Sequence, residues 1–376
     1  MDYVKDGGIG KIDSSTLMPL PTQVGGLSHP PVLKLEPTLI LKPVHVDDRG
    51  LREVVFYEAI RLASSYHTTK SSKTLEFPFP NESHSSLDGF AVRSYLKLMG
   101  IIKEDHHSSY SQAHNHYMES SSIIRLDACD LTAAQEKTRF LPDEKEYVVL
   151  SSPLQKLIKN EIETLIQLKP FIPLYYGVHQ EELKDFVILQ DLTAPFRNPC
   201  VLDLKMGRQS YEPDATTARK EYEIRKYPEQ KLFGFRIVGM RVASNQANDQ
   251  QQQLLDKYHG YSLKTEAQLQ DSFQLFLRSC HNQEKLQAVV REFLSQLHQL
   301  TLCFEQNQSL SFYASSLLLV YEGDDSTARD PYTRPIVRMI DFGHVRRQVG
   351  GDHGFIHGLN TIAKLLHLVL ERDKRG

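Results

Sequence analysis

Two regions of regular hydrophobic pattern, separated by a long stretch rich in serine and histidine, constrain the fold of this chain most. Residues 21–62 and 153–370 carry short apolar runs and helical periodicities, whereas residues 64–150 carry clusters of Ser and His without a period. A polar stretch of this kind buries too little apolar surface to build a core of its own. The sequence therefore predicts two ordered units with an insertion in the first.

The first unit predicts a small antiparallel sheet followed by a helix. Residues 32–35 and 39–42 are short β-like runs separated by Glu36-Pro37, a break typical of a turn. From 52 to 62 the apolar residues recur at helical spacing, which indicates one buried helix face. Within the insertion, residues 90–98 are compatible with a short helix.

The second unit predicts a larger mixture of helices and strands. Helical periodicity is found at 153–168, 286–304 and 359–370, and β-like runs are found at 171–178, 186–189, 312–321 and 336–340. The Gln-rich run at 250–253 is typical of a surface loop. The order predicts an α+β fold with two lobes and a cleft between them. The expected boundaries are a flexible lead-in at 1–20, a smaller lobe at 21–190 and a larger lobe at 191–376.

Composition restricts the class of protein. The net charge of −3 argues against a surface built to hold nucleic acid or an anionic membrane. The four cysteines lie far apart without a CxxC pair, which favours a reducing compartment. No leader-like apolar region and no run of roughly 18 apolar residues is visible, so we expect a soluble intracellular protein. Four histidines at 106–116 stand in a Ser-rich polar stretch and indicate a solvated loop more than a metal site.

Three motifs indicate phosphate chemistry. Asp203 and Lys205 stand two residues apart, so on an extended segment both side chains point to one side. Asp341 begins an Asp-Phe-Gly triplet directly after an apolar run. Lys42 ends a β-like run, and Glu53 follows 11 residues later on the predicted helix. Taken singly, each is compatible with an ordinary ion pair or a solvated charge.

The order of these motifs narrows the class further. A strand Lys, a helix Glu, a central Asp-x-Lys and a late Asp-Phe-Gly are the parts with which kinases hold ATP and Mg²⁺. The chain has neither a GxxxxGK[ST] loop nor an HRD catalytic loop. The pattern therefore predicts a two-lobed fold, related to protein kinases and ATP-grasp enzymes, that lacks the protein-kinase catalytic loop.

The motifs resemble those of the inositol polyphosphate kinase family. Its PxxxDxKxG hallmark is matched by residues 199–207, and similar elements follow at 210–213, 226–228, 239–242, 312–318 and 338–342. The resemblance covers roughly residues 21–62 and 153–370. Ser-Tyr-Glu-Pro at 210–213 and Gly-Met-Arg-Val at 239–242 are most similar to the multikinase branch. Asp-Leu-Lys-Met-Gly at 203–207 fits the inositol hexakisphosphate kinase branch equally well.

The resemblance implies roles for individual residues. The catalytic residues would be Asp203 and Lys205, with Lys205 bridging the γ-phosphoryl group and the acceptor. The ATP site would comprise Lys42, Glu53, the backbone of Gln190 and Leu192, Asp203 on the ribose, Leu317 in the floor, and Asp341. Asp341 would also coordinate Mg²⁺. The inositol phosphates would contact Lys205, Arg219, Lys226, Arg241 and His344.

The charge around this segment supports an anionic substrate. Residues 199–241 contain nine basic and six acidic side chains, a net +3 in a chain of −3. Arg219 and Lys226 are seven residues apart, so they share one face of a helix. One departure concerns Tyr222 and Glu223, which stand where the multikinase branch has two glutamines. A carboxylate there would repel phosphates and alter substrate preference.

The sequence thus predicts ATP-dependent transfer of a phosphoryl group to a hydroxyl of inositol tris- or tetrakisphosphate, with ATP and Mg²⁺ as cofactors. Two alternatives stay open: a hexakisphosphate kinase that makes pyrophosphates, and a non-catalytic scaffold that binds inositol phosphates. We expect a monomer in the cytoplasm, the nucleus or both, without a nucleic-acid partner. Protein partners are expected to use the insertion at 64–150.

Overall fold

The structure, a computed structural model, describes residues 17–24, 31–65, 152–181, 184–243, 252–323, 334–348 and 350–373. It also gives the backbone of two short strand pairs near the N-terminus and at 137–149. The helix predicted at 90–98, the histidines at 106–116 and most of the insertion at 64–150 lie outside these residues. The proposed partner surface of the insertion therefore stays a prediction.

The described part of the first half of the chain contains one five-stranded antiparallel sheet, two separate strand pairs and two helices. Its strands are β1 (Val4–Lys5), β2 (Gly8–Ile9), β3 (Met18–Pro19), β4 (Leu33–Glu36), β5 (Leu39–Pro43), β6 (Lys137–Phe140), β7 (Glu146–Val149), β8 (Tyr175–Glu181) and β9 (Lys184–Gln190). Its helices are α1 (Asp48–Ser65) and α2 (Ser152–Leu168), which pack together. Within the described residues, β3-β4-β5-β9-β8 form one sheet.

The alternation of β5 sets up one wall of the site. Leu41 is fully buried with Phe186 and Ile188 on one face of this strand. Because successive side chains point to opposite faces, Ile40 and Lys42 face the other way, where both line a cavity.

The second half is built on another antiparallel sheet, ordered β12-β11-β10-β14-β15. Its strands are β10 (Pro199–Met206), β11 (Phe235–Val242), β12 (Gln253–Leu255), β13 (Leu310–Phe312), β14 (Ser316–Glu322), β15 (Ile336–Ile340) and β16 (Val345–Arg347). Its helices are α3 (Thr217–Lys226), α4 (Gln230–Phe233), α5 (Lys257–Ser262), α6 (Glu266–Leu277), α7 (Gln283–Gln306) and α8 (His353–Asp373). The fold is α+β, as the sequence predicts.

Helix α7 supplies much of the core of this half. Its apolar stripe is buried along its whole length, at Leu286, Val289, Val290, Phe293, Leu297, Leu300 and Phe304. The stripe packs against β15 and α8, and the Phe304 ring stacks on Phe355 at 4.1 Å between centroids. The predicted helix at 286–304 is therefore confirmed. Among the helices that the structure describes, none combines the length and the apolarity that crossing a bilayer requires.

Two predicted strands were wrong in part. The run predicted at 171–178 begins as a 3₁₀ turn, Lys169–Phe171, and becomes a strand only at Tyr175. Pro170 suits the start of such a turn because proline needs no N–H partner there. The run predicted at 312–321 divides into β13 and β14, because Ala314 adopts a left-handed φ of 53° between them. The break lets β13 pair with β16 and β14 with β10 and β15.

Candidate active site

A cavity of about 510 Å³ lies between the two sheets. Strands β5 and β9 supply one wall, and β10, β14 and the end of β15 supply the other. Most of the residues singled out from the sequence line it, namely Lys42, Glu53, Gln190, Leu192, Asp203, Lys205, Asp341 and His344. These residues come from segments as far apart as 42 and 344, so the fold brings them together.

Lys42 lies at the centre of a three-residue charge cluster. Its Nζ donates to Oε1 of Glu53 at 2.6 Å and to Oδ1 of Asp341 at 2.5 Å. Lys42 is 18% exposed and Glu53 is 3% exposed, so the contact is shielded from water. Burial alone would lower the pKa of Lys42, but the two carboxylates outweigh it and raise that pKa well above its usual range. Lys42 is therefore a fixed cation.

The Asp341 segment is held by packing against helix α1. Asp341 has a left-handed φ of 65°, which costs of order 1–3 kcal/mol and is typical of functional positions. Next to it, the Phe342 ring stacks on Phe56 of α1 at 4.2 Å, and the Phe342 N–H donates to Glu53 Oε1 at 3.3 Å. Burial would raise the pKa of Asp341, but Lys42 more than offsets this and lowers it. Asp341 is thus an ionised carboxylate at the cavity.

Asp203 and Lys205 face the cavity from the central strand β10. Asp203 is 6% exposed, and its Oδ1 is buried with no hydrogen-bond partner in the described part of the chain. Burial and the nearby charge of Asp341 raise the pKa of Asp203 to about 7. Burial lowers the pKa of Lys205, an effect that Arg236 reinforces and Asp341 opposes. The strand spacing therefore places an acid and an amine together, as predicted.

The segment after β9 is fixed by a buried carboxylate that the sequence did not single out. Asp191 is 2% exposed and accepts hydrogen bonds from the Thr193 N–H at 2.8 Å and from the Thr193 hydroxyl at 2.6 Å. Its other oxygen accepts from Lys34 Nζ at 2.9 Å. These bonds hold Gln190 and Leu192 at the cavity. An acid between Gln190 and Leu192, two residues assigned to the ATP site, is the sequence signal that could have found Asp191.

His344 is held by a second acid that the sequence did not assign. Its Nδ1 lies 2.6 Å from Oε1 of Glu212, which also accepts from Arg346 Nη2 at 2.8 Å. Burial would raise the pKa of Glu212, but the hydrogen bond to His344 outweighs it and lowers that pKa. Glu212 is the acid of the Ser-Tyr-Glu-Pro element at 210–213. Its place in an element that resembles the family is the sequence signal that could have found it.

Arg219 and Lys226 share one face of α3, where both bind Glu223. Arg219 Nη2 and Lys226 Nζ lie 2.8 and 2.9 Å from the same Glu223 oxygen. The Lys226 ammonium also lies 4.1 Å from the centre of the Tyr222 ring. Burial would raise the pKa of Glu223, but Lys226 and the neighbouring arginines outweigh it and lower that pKa. The two predicted substrate cations are thus neutralised in part.

Two predicted contacts differ from the structure. Leu317 is fully buried in the core, because alternation along β14 turns it away from the cavity and presents Leu318 instead. Arg241 is 5% exposed, donates to the Pro199 carbonyl and donates through Nε to Gln252 at 3.0 Å. Its guanidinium therefore binds the first residue of β10 and the segment before β12, and it does not line the cavity. Spacing along the sequence could not reveal either orientation.

The part of the chain that carries much of this geometry is similar to a known protein family. The family model described as inositol polyphosphate kinase matches residues 186–367, which contain Asp203, Lys205, Asp341 and their supporting strands. Over these residues the chain is similar to the inositol polyphosphate kinase family. The match starts within β9 and ends within α8, so it covers the whole second sheet.

Curated relatives represent two branches of the family. Human inositol hexakisphosphate kinase 2 is 26% identical over 95% of this chain and 95% of its own length. Mouse inositol polyphosphate multikinase is 31% identical over 44% of this chain and 41% of its own length. A crystal structure of the S. cerevisiae inositol phosphate multikinase with ADP and Mn²⁺ aligns with a TM-score of 0.49 at 23% identity, covering 63% of this chain and 99% of that one.

Proposed function

We propose that this chain transfers the γ-phosphoryl group of ATP to an inositol polyphosphate. The observation that carries the proposal is the convergence in one cavity of the Lys42–Glu53–Asp341 cluster with Asp203 and Lys205. A fixed cation, an ionised acid and a second acid–amine pair are the groups that phosphoryl transfer needs for positioning and for neutralising charge. The match of residues 186–367 to the inositol polyphosphate kinase family supports the same chemistry.

The residues fit ATP with a divalent cation. The structure gathers no three His, Cys, Asp or Glu side chains into a metal-ion site within the described residues. Mg²⁺, however, commonly uses one or two carboxylates, with phosphate oxygens and water completing its shell. Asp341 is 43% exposed at the cavity, and Asp203 offers a buried oxygen without a partner. These two residues would hold Mg²⁺, and Lys42 would hold the phosphates.

The chain's own groups then define the transfer. When bound, ATP would supply the phosphoryl group, and Mg²⁺ would neutralise part of its charge. Glu53 keeps the Lys42 ammonium aimed into the cavity, and Asp191 keeps the segment beside it in shape. Lys205 places a cation where the acceptor hydroxyl meets the transferred group. Because these charges sit away from bulk water, each acts more strongly than it would in solution.

For the acceptor, we propose inositol tris- or tetrakisphosphate, with the hexakisphosphate as the second candidate. Glu223 takes up part of the positive charge on α3, and this supports an acceptor with fewer phosphates. The second candidate rests on the full-length match to a hexakisphosphate kinase. The two differ in the product, because the hexakisphosphate has no free hydroxyl and must become a pyrophosphate.

The test incubates the purified full-length chain with ATP, Mg²⁺ and each inositol phosphate from the tris- to the hexakisphosphate. Anion-exchange separation identifies each product, and a reaction without acceptor measures ATP hydrolysis. We expect transfer to at least one acceptor, and loss of it in Lys205→Ala and Asp341→Ala. If no acceptor is phosphorylated, the kinase proposal fails and a binding scaffold is the better description. Normal turnover by either variant would contradict the assigned roles.

A further inference from the structure

Arg236 is a buried cation next to Lys205 that the mechanism above does not use. It lies directly opposite Lys205 in the pairing of β10 with β11, so the two side chains share a face of the sheet. Arg236 is 5% exposed, and its Nε and Nη1 have no hydrogen-bond partner among the described residues. A buried group without a partner carries its desolvation penalty uncompensated, which calls for a functional explanation.

The charged group that faces Arg236 is Glu223, and the contact is loose. Nη2 of Arg236 lies 3.6 Å from Oε2 of Glu223, beyond hydrogen-bond distance. That same oxygen is buried without a hydrogen-bond partner in the described chain. The other Glu223 oxygen is shared by Arg219 and Lys226. With Lys205, four cations therefore surround one carboxylate, and the cluster keeps an excess of positive charge.

We propose that Arg236 binds a phosphate group of the acceptor, and that Glu223 occupies its place as an internal counter-ion until the acceptor arrives. The inference rests on the proposed function and names the part of the acceptor that this residue recognises. Glu223 thereby makes acceptor binding weaker, and Arg236 makes it stronger.

The chemistry of the group favours phosphate over other anions. A guanidinium presents paired N–H donors that match phosphate oxygens, and a phosphate carries more charge than the carboxylate it replaces. The Arg236 guanidinium lies 5.7 Å from the centre of the Tyr261 ring, a contact that fixes its plane. Its neighbour Lys205 lines the cavity where transfer is proposed. A phosphate on Arg236 would therefore lie close to the reacting hydroxyl.

The structure also provides room for Glu223 to move. A second cavity of about 400 Å³ is lined by Glu223 together with Arg208 and Lys231. A carboxylate displaced from Arg236 can turn toward these two cations instead of being left buried without a charge partner. The exchange therefore replaces one set of ionic contacts with another.

The test is titration calorimetry at fixed ionic strength, with inositol trisphosphate and inositol hexakisphosphate as probes. Arg236→Met should weaken binding of the preferred probe roughly thirtyfold or more, the scale seen when one partner of a buried charge pair is removed. Glu223→Gln should tighten it by roughly tenfold. Glu221→Gln is the matched control, because it removes the same charge from an exposed position two residues away. Its dissociation constant should stay within about twofold of the native chain.

A double variant tests whether the two residues act on each other. In the Arg236→Met background, Glu223→Gln should tighten binding by less than it does alone. Melting temperatures identify a variant that does not fold; Arg236→Lys, which keeps the charge but loses the paired donors, then replaces Arg236→Met. The inference is overturned if the Arg236 variant binds like the native chain, or if Glu223→Gln behaves like Glu221→Gln. Turnover on the acceptor panel is scored separately, so a catalytically silent chain refutes the kinase proposal and not the binding site.

Discussion

Lys42 contacts one acid that is near in the sequence and one that is distant. Its pairing with Glu53, 11 residues away, is a contact that one strand and one helix can make by themselves. Asp341 is 299 residues from Lys42, yet its oxygen lies at 2.5 Å from the same ammonium. One cation therefore pairs with two carboxylates from distant parts of the chain. Removing it leaves both acids facing each other.

Lys42→Met should lower both stability and activity. Leaving the buried Glu53 carboxylate without its cation typically costs about 3–5 kcal/mol of unfolding free energy. Urea unfolding measures this loss, and kcat/KM for ATP should fall at least about a hundredfold if the lysine binds the phosphates. Lys184→Met serves as the control, because Lys184 is an exposed lysine of the same sheet. Equal effects of the two substitutions would contradict the role given to Lys42.

The sequence predicted the parts of the candidate site whose side chains lie on the same strand or helix. The two-residue spacing of Asp203 and Lys205 predicts their shared face on β10, and the structure places both at the cavity. The orientation of Leu317 was not predictable, because it depends on where β14 begins after the left-handed Ala314. Arg236 was missed because a lone arginine in an apolar strand carries no local signal of its neighbours across the sheet.

At the scale of elements, periodicity predicted helices and strands but not how they are joined. Helix α7 follows its apolar stripe, and α1 and α8 extend beyond the predicted bounds at 52–62 and 359–370. The junctions depend on single ionic and aromatic contacts. One of these joins α2 to β16, where Glu161 is fully buried and its Oε1 forms an ion pair with Arg347 Nε at 3.1 Å. Another joins α1 to the Asp341 segment through Phe342.

The Glu161 junction should make stability depend on pH. Burial raises the pKa of Glu161 to about 7, although Arg347 opposes it. Between about pH 4.5 and 7 the folded state then holds a proton that the unfolded state has lost, so stability falls as the pH rises, by at most about 3 kcal/mol. Glu161→Gln should flatten this slope in urea unfolding from pH 5 to 8. Glu163→Gln, an exposed position on the same helix, should keep it.

Phe342 should couple packing to catalysis. Its ring is fully buried, stacks on Phe56 and lies edge-on to Tyr57 at 5.4 Å. Phe342→Ala should cost about 3–5 kcal/mol of stability through the cavity it leaves. It should also lower kcat/KM well below the melting temperature, because Asp341 and Glu53 lose their fixed spacing. Phe355→Ala, at another fully buried ring, should lose similar stability and keep its activity. A parallel loss of activity in both would remove the special role of Phe342.

For the whole molecule, the distribution of charge matters more than its sum. The chain carries −3 overall, whereas residues 199–241 carry +3. This segment contains β10, α3 and β11, and its Lys205 lines the cavity between the sheets. A field of this kind attracts a compact polyanion to one place while the rest of the surface repels it. Such attraction is weakened by salt, since the Debye length is roughly 10 Å at 0.1 M.

The KM for the inositol phosphate acceptor should therefore rise with ionic strength. Arg219 and Lys226 are 46% and 25% exposed, so screening reaches them directly. Between about 50 and 300 mM salt we expect the acceptor KM to increase severalfold. In the double variant Arg219→Gln with Lys226→Gln, the slope of log KM against log salt should be shallower. Lys364→Gln on α8 removes an exposed lysine elsewhere, 57% exposed, and should leave the slope unchanged. Parallel slopes in all three proteins would mean that the acceptor is held by contacts that salt does not reach, and that the charge of residues 199–241 does not steer it.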